Sequence, residues 1–188
     1  ASLSITFDDG YADNYLTALP ILERHRAHAT FFIATAYLDG GRMFNDTVLE
    51  TARRIPDGEL ATPFGDRPRL SIRSAADRRA LAAQVIADCK YLPLAEREAR
   101  VAAFSRLQDQ PLPDDLMLSS AQLEALHRSP FAEIGAHTHD HPIMASCDRT
   151  EALQQIQLSV ERLSQLLDYR PRLFAYPNGK LGQDFLAE

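Results

Sequence analysis

Adjacent aspartates, two histidines four positions apart and a Tyr-Pro-Asn-Gly turn are the residues in this 188-residue chain best suited to chemistry. Asp8 and Asp9 follow the run Leu3-Ser4-Ile5-Thr6-Phe7. His137 and His141 follow Phe131 to Ala136, and Tyr176 to Gly179 close the segment that starts at Arg172. A hydrolytic metal centre takes three protein ligands from His, Asp and Glu and leaves one position for water. His137 and His141 supply two imidazoles, and one of the two aspartates supplies an oxygen. The other aspartate is then the natural general base for a water acidified by the cation. Without a cation, two adjacent carboxylates repel and push a pKa up. Asp-Gly is ordinary turn chemistry, and His-x-x-x-His arises readily by composition. The pattern gains its force from context, because each cluster ends an apolar, strand-like run.

The elements that must position these residues read as an α/β fold. Leu3, Ile5 and Phe7 alternate with polar residues, which predicts a strand ended by Asp8-Asp9-Gly10. A helix is expected over 17–26, with Pro20 near its first turn, and a second, buried strand over 29–34. Strand, helix, strand at this spacing is the signature of a parallel sheet. Residues 39–118 read as a helical insertion, with helices over 46–54, 75–90 and 94–108 and a loop marked by Gly58, Pro63, Gly65 and Pro68. Ser119-x-x-Gln122 is a capping box for a short helix. A strand over 131–136 leads into the histidines. Asp148 then caps a long helix in which Leu153, Ile156, Val160, Leu163 and Leu167 predict a buried stripe. A last strand is expected over 172–176. In parallel α/β folds the site lies at the carboxyl ends of the strands, so the three polar clusters should converge.

Composition narrows the function. Hydrophobic residues are 45% and charged residues 24%, an ordinary globular balance that argues against disorder. The net charge of −6 offers no basic footprint for nucleic acid. The most apolar stretch, residues 29–38, is too short for a transmembrane helix, which needs about 20 residues. Cys89 and Cys147 are too few for a disulfide framework and are expected to be ordinary buried thiols.

On these residues the sequence resembles the polysaccharide deacetylase family, also called the NodB-homology or carbohydrate esterase family 4 domain. The first motif stands as Thr6-Phe7-Asp8-Asp9-Gly10, and the second, H-[ST]-x-x-H, as His137-Thr138-His139-Asp140-His141. The third stands as Phe174-Ala175-Tyr176-Pro177-Asn178-Gly179. The resemblance implies a distorted (β/α) barrel and a metal-dependent hydrolase that removes N- or O-acetyl groups from a polysaccharide. It implies Asp8 as general base and Asp9, His137 and His141 as ligands of zinc, or of cobalt or another divalent ion. The backbone N–H of Asn178 would help hold the oxyanion. Tyr11, Tyr176 and Pro177 are candidates for the walls of a sugar groove.

Two departures stand out. Many members carry a base-orienting Arg in the third motif where this chain has Ala175, with Arg170 and Arg172 nearby. The family's fourth and fifth motifs, the fifth supplying the general acid, fall downstream of Glu188. The expectation is therefore one catalytic domain over 1–188, incomplete at its C-terminus, that self-associates through exposed sheet edges. An extracytoplasmic or envelope location is expected. Two other readings stay open: a small-amide C–N hydrolase on the same scaffold, and a catalytically impaired domain that binds metal and glycan.

Overall fold

A computed structural model of the chain describes residues 3–62 and 69–180. In chain order the strands are β1 (Thr6–Phe7), β2 (Ala29–Ile33), β3 (Gly58–Ala61), β4 (Arg69–Ile72) and β5 (Ala132–Ala136). The helices are α1 (Leu19–His25), α2 (Phe44–Arg54), α3 (Ala75–Cys89), α4 (Leu94–Ser105), α5 (Ser120–Arg128) and α6 (Arg149–Leu167). This is an α/β fold. The chain divides into two compact units, residues 1–41 with 114–188, and residues 42–113.

The first unit is built on a parallel sheet of order β1-β2-β5. Thr6 and Phe7 pair with Thr30 and Phe31, and Ala29 to Ile33 pair in register with Ala132 to Ala136. Along β2, Ala29, Phe31 and Ile33 are buried while Thr30 and Phe32 are half-buried, the alternation that a pleated strand imposes. Phe31 and Ile33 meet Ile134, Leu118, Leu123, Leu126 and Leu163 in one core. The Phe7 ring stacks on Phe31 with centroids 4.9 Å apart.

Local chemistry sets the connections. A π-helix over Asn14–Ala18 runs directly into α1, and Pro20 stands in the first turn of α1. The expected strand over 172–176 pairs with the sheet at one parallel bridge, Phe174 to Ala136. The Ser119–Gln122 capping box opens α5 with both reciprocal hydrogen bonds in place, and Asp148 caps α6 by accepting from Glu151 N–H. Asp39 also braces α5: its two carboxylate oxygens accept from Ser120 N–H and Oγ at 2.7 and 2.6 Å. Those bonds hold its pKa below the usual value.

Two expectations need correction. The loop marked by Gly58 is one strand of an antiparallel ribbon, β3 with β4, in which Leu60 faces Leu70. Pro63, Gly65 and Pro68 lie outside the described residues. The α6 stripe is also rotated. Leu153 is 44% exposed, whereas Ala152, Gln155, Ser159 and Leu163 are buried. The N-terminal half of α6 thus turns a polar residue inward, and Gln155 reaches the histidine loop.

Residues 42–113 enclose a separate core in which Val48, Ile55, Ile72, Leu81, Val85 and Phe104 are buried. Arg97 stacks over Phe44 with its guanidinium carbon 4.7 Å from the ring centroid. Cys89 is buried here, and burial pushes its thiol pKa up, so it behaves as a small apolar side chain. Cys147 is half-buried, and neither cysteine forms a disulfide among the described residues. Among the described residues no helix is long and apolar enough to cross a membrane.

Gly41 is required by close approach. A Cβ at this position would lie 2.5 to 2.8 Å from the Cα, O and C atoms of Tyr37, all backbone. Gly41→Ala should cost about 1–3 kcal/mol, the usual range for forcing extra volume into packed structure. Chemical denaturation reads this directly. An unchanged midpoint would mean that the 37–41 turn gives way freely.

Candidate metal centre

The sheet's parallel sense puts three loops at one edge. Asp8 and Asp9 leave β1, residues 34–37 leave β2, and residues 137–141 leave β5. The β2 exit is the hub. Ala34 N–H donates to the Asp9 carbonyl at 3.2 Å, and Ile33 C=O accepts from His137 N–H at 3.1 Å. Thr35 N–H and Ala36 N–H donate to the carbonyls of Thr138 and His139 at 3.3 and 3.1 Å. The aspartate turn is closed by Gly10 N–H on the Asp8 carbonyl at 2.9 Å. It is braced from outside by Leu118 N–H on the Gly10 carbonyl at 2.9 Å.

These contacts bring Asp9, His137 and His141 together, with one donor atom from each lying within 4.8 Å of the others. Asp9 Oδ1 is 3.4 Å from His137 Nε2 and 3.2 Å from His141 Nε2. Donors about 2.0–2.1 Å from one tetrahedral zinc ion stand about 3.4 Å apart, so the two carboxylate–imidazole spacings fit a shared ion. The three side chains are 23%, 2% and 14% exposed, respectively, which leaves the cluster open on one side.

The hydrogen bonds around the cluster favour a cation. His137 Nδ1 lies 2.8 Å from the Ala175 carbonyl. That carbonyl can only accept, so Nδ1 carries the proton, and a neutral His137 turns the lone pair of Nε2 toward Asp9. Asp9 Oδ1 is buried and has no hydrogen-bond partner among the described residues. An acceptor facing the lone pair of another acceptor calls for positive charge between them.

Backbone strain concentrates here. Asp9, Thr138, His141 and Asn178 all adopt positive φ, at 74°, 66°, 51° and 57°. Thr138 is the most telling, because a β-branched residue is rarely found in this region. Such residues cost about 1–3 kcal/mol each, and they persist where the surrounding structure over-determines them. The Thr138 hydroxyl donates to the His137 carbonyl and is fully buried.

The other sequence-predicted residues stand outside this trio. Asp8 is exposed at the same turn. Pro177 is buried, Asn178 is exposed, and Tyr176 packs edge-on against Phe174 with centroids 4.9 Å apart. Tyr11 bridges to Met117 and lines a cavity of about 460 Å³ with Phe7, Asn14, Thr17 and Leu22. Arg170 and Arg172 are exposed and form no ion pair among the described residues.

Sequence reasoning missed four supports. Thr35 Oγ1 hydrogen-bonds His139 Nδ1 at 2.9 Å, and Tyr37 Oη donates to the Asp140 carbonyl at 2.8 Å. Gln155 bonds the loop from α6, and the Ala175 carbonyl orients His137. Only Gln155 left a trace in the sequence, as a polar residue between apolar turns of α6.

An α/β fold with a carboxylate–diimidazole cluster at its strand ends defines a class of scaffolds whose loops converge on one site. Within it, this chain belongs to the polysaccharide deacetylase family, whose model matches residues 1–78 and 93–188. Among curated proteins none matches the chain. Among solved structures, the Streptococcus pyogenes deacetylase PplD in complex with acetate is 17% identical with a TM-score of 0.54. The match covers 97% of this chain and 49% of PplD. The deacetylase domain of BpsB from Bordetella bronchiseptica is 16% identical with a TM-score of 0.51, over 95% of this chain and 56% of that one. IcaB from Ammonifex degensii is 17% identical with a TM-score of 0.52, over 96% and 52%. These likenesses are likenesses of fold, and the chain spans about half the length of the structures it matches.

Proposed function

We propose that the site serves a metal-dependent hydrolase that removes N- or O-acetyl groups from a carbohydrate polymer. The observation that carries this is the convergence of Asp9, His137 and His141 on one point, with a buried carboxylate oxygen there that has no hydrogen-bond partner among the described residues. In this reading those three residues hold a divalent cation, zinc or in its place cobalt or another divalent ion. The cation would supply Lewis acidity, activating water at neutral pH and polarising the acetyl carbonyl.

The chain's own residues do the rest. Asp8, next in sequence to a ligand and exposed, accepts the proton of the attacking water. His137 is kept in one tautomer and one orientation by the Ala175 carbonyl, which also raises its basicity as a ligand. Asn178, held in the left-handed region beside Pro177, offers its backbone N–H to the developing oxyanion. Tyr11, Tyr176 and Pro177 form walls for a sugar ring. The acetyl C–N or C–O bond breaks, the proton taken from water returns to the sugar nitrogen or oxygen, and the acetyl group leaves as acetate or acetic acid. One catalytic domain over 1–188 with an insertion, working on envelope or secreted glycans outside the cytoplasm, belongs to the same proposal. Self-association is not part of it.

The test is acetate release from acetylated glycans by the whole protein, before and after exhaustive chelation. Release is expected, lost on chelation and restored by zinc or cobalt. Activity on a small amide with none on polymers would favour the C–N hydrolase reading. Glycan binding without release would favour the impaired domain.

A further inference from the structure

The histidine loop is held from two sides, and the two sides differ in kind. On the β2 side the bonds come mainly from backbone groups, as sheet exits usually provide. On the other side a buried side chain, Gln155 of α6, holds the loop by three hydrogen bonds. It is 6% exposed. Its Oε1 accepts from His139 N–H at 3.1 Å and Asp140 N–H at 2.8 Å. Its Nε2 donates to Asp140 Oδ2 at 2.8 Å. These bonds fix the amide one way round, since a flipped amide would set its NH₂ against two N–H donors.

The clamp falls between the two histidines. His139 and Asp140 are the residues linking Thr138, at φ 66°, to His141, at φ 51°. Two residues in the left-handed region within four positions form a backbone that relaxes unless it is tied. Tyr37 ties the Asp140 carbonyl, while Gln155 ties both linking amides and the Asp140 carboxylate. His137 is secured independently, through β2 and the Ala175 carbonyl. The orientation of His141 therefore depends on Gln155 in a way that His137 does not.

We infer that Gln155 is a positioning residue for the metal centre: it presets the 139–140 backbone so that His141 Nε2 stands ready beside Asp9 before any cation arrives. This rests on the metal reading of Asp9, His137 and His141. Gln155 does not touch the ion or the substrate, and its effect appears as affinity for the metal. Supporting partners of this kind are worth about 10–100-fold in metal affinity.

The experiment compares wild type, Gln155→Leu and Gln155→Glu, titrated with cobalt(II) alone and followed by its visible absorption. Amide hydrogen exchange of the metal-free proteins is measured alongside. Gln155→Leu removes all three bonds at similar volume and should weaken cobalt binding about 10–100-fold. The His139 and Asp140 amides should exchange faster, with β2 and β5 amides unchanged. Gln155→Glu keeps the two acceptor contacts but sets a carboxylate against Asp140, and its affinity should fall between the other two. Wild-type affinity in Gln155→Leu, with wild type binding cobalt tightly, overturns the inference alone. Loss of affinity accompanied by equal loosening of β2 and β5 also overturns it, because Gln155 would then be a general structural residue. Failure of wild type to bind cobalt overturns both this inference and the metal reading.

Discussion

Asp9→Ala should leave the protein unable to hold a divalent cation. Of the three converging groups, only Asp9 brings a negative charge, and its Oδ1 lies 3.4 Å from His137 Nε2 and 3.2 Å from His141 Nε2. Its removal leaves two imidazoles with ring centroids 4.9 Å apart and takes away the carboxylate both were paired with. The loss should exceed the roughly 10–100-fold that removal of a supporting contact costs. It should be visible in stability as well as in calorimetry. A ligand that binds only the folded state at a hundred times its Kd stabilises by about 2.7 kcal/mol. Zinc at that excess over the wild-type Kd should therefore raise the wild-type melting temperature by several degrees and leave that of Asp9→Ala unmoved. A variant that still takes up one zinc per chain with wild-type affinity would move the site away from this cluster.

The candidate site was legible because its parts sit at the ends of recognisable strands. A period-2 run into Asp8-Asp9 and an apolar run into His137 are local signals, and a parallel sheet puts their carboxyl ends together without further instruction. The supports were less legible for a physical reason. The group that orients His137 is the carbonyl of Ala175, and a backbone acceptor is the same at every residue, so no side-chain letter reports it. Gln155 was hidden differently. The α6 register was read from Leu153, Ile156 and Val160 as though burial followed hydrophobicity alone. The helix instead turns Ala152, Gln155 and Ser159 inward, because unpaired amides in the histidine loop need an acceptor more than that face needs another leucine. The β3–β4 ribbon escaped because glycine and proline were read as loop, while Leu60, Leu70 and Ile72 carried a short alternation easily passed over.

Asp8→Asn should separate binding from turnover. Asp8 and Asp9 are neighbours in sequence but differ in surroundings. Asp9 is drawn toward two histidines, and its carbonyl is tied to Ala34; Asp8 is exposed, and its carbonyl accepts from Gly10 N–H at 2.9 Å. The positive φ of Asp9 turns the chain sharply between them, which lets adjacent carboxylates take separate tasks. An amide at position 8 keeps the size of the side chain and loses the ability to accept a proton. The variant should bind zinc with wild-type affinity and keep its affinity for acetylated glycan. Its rate of acetate release should fall about 10²–10⁴-fold, the contribution typical of a positioned general base. The fall should appear in kcat with little change in KM, because the lost interaction exists only as the proton moves. Full activity in Asp8→Asn would assign the base elsewhere. Loss of zinc together with activity would instead make Asp8 a ligand, and the carboxylate pair would then have to be read as a shared site with its base supplied by another residue.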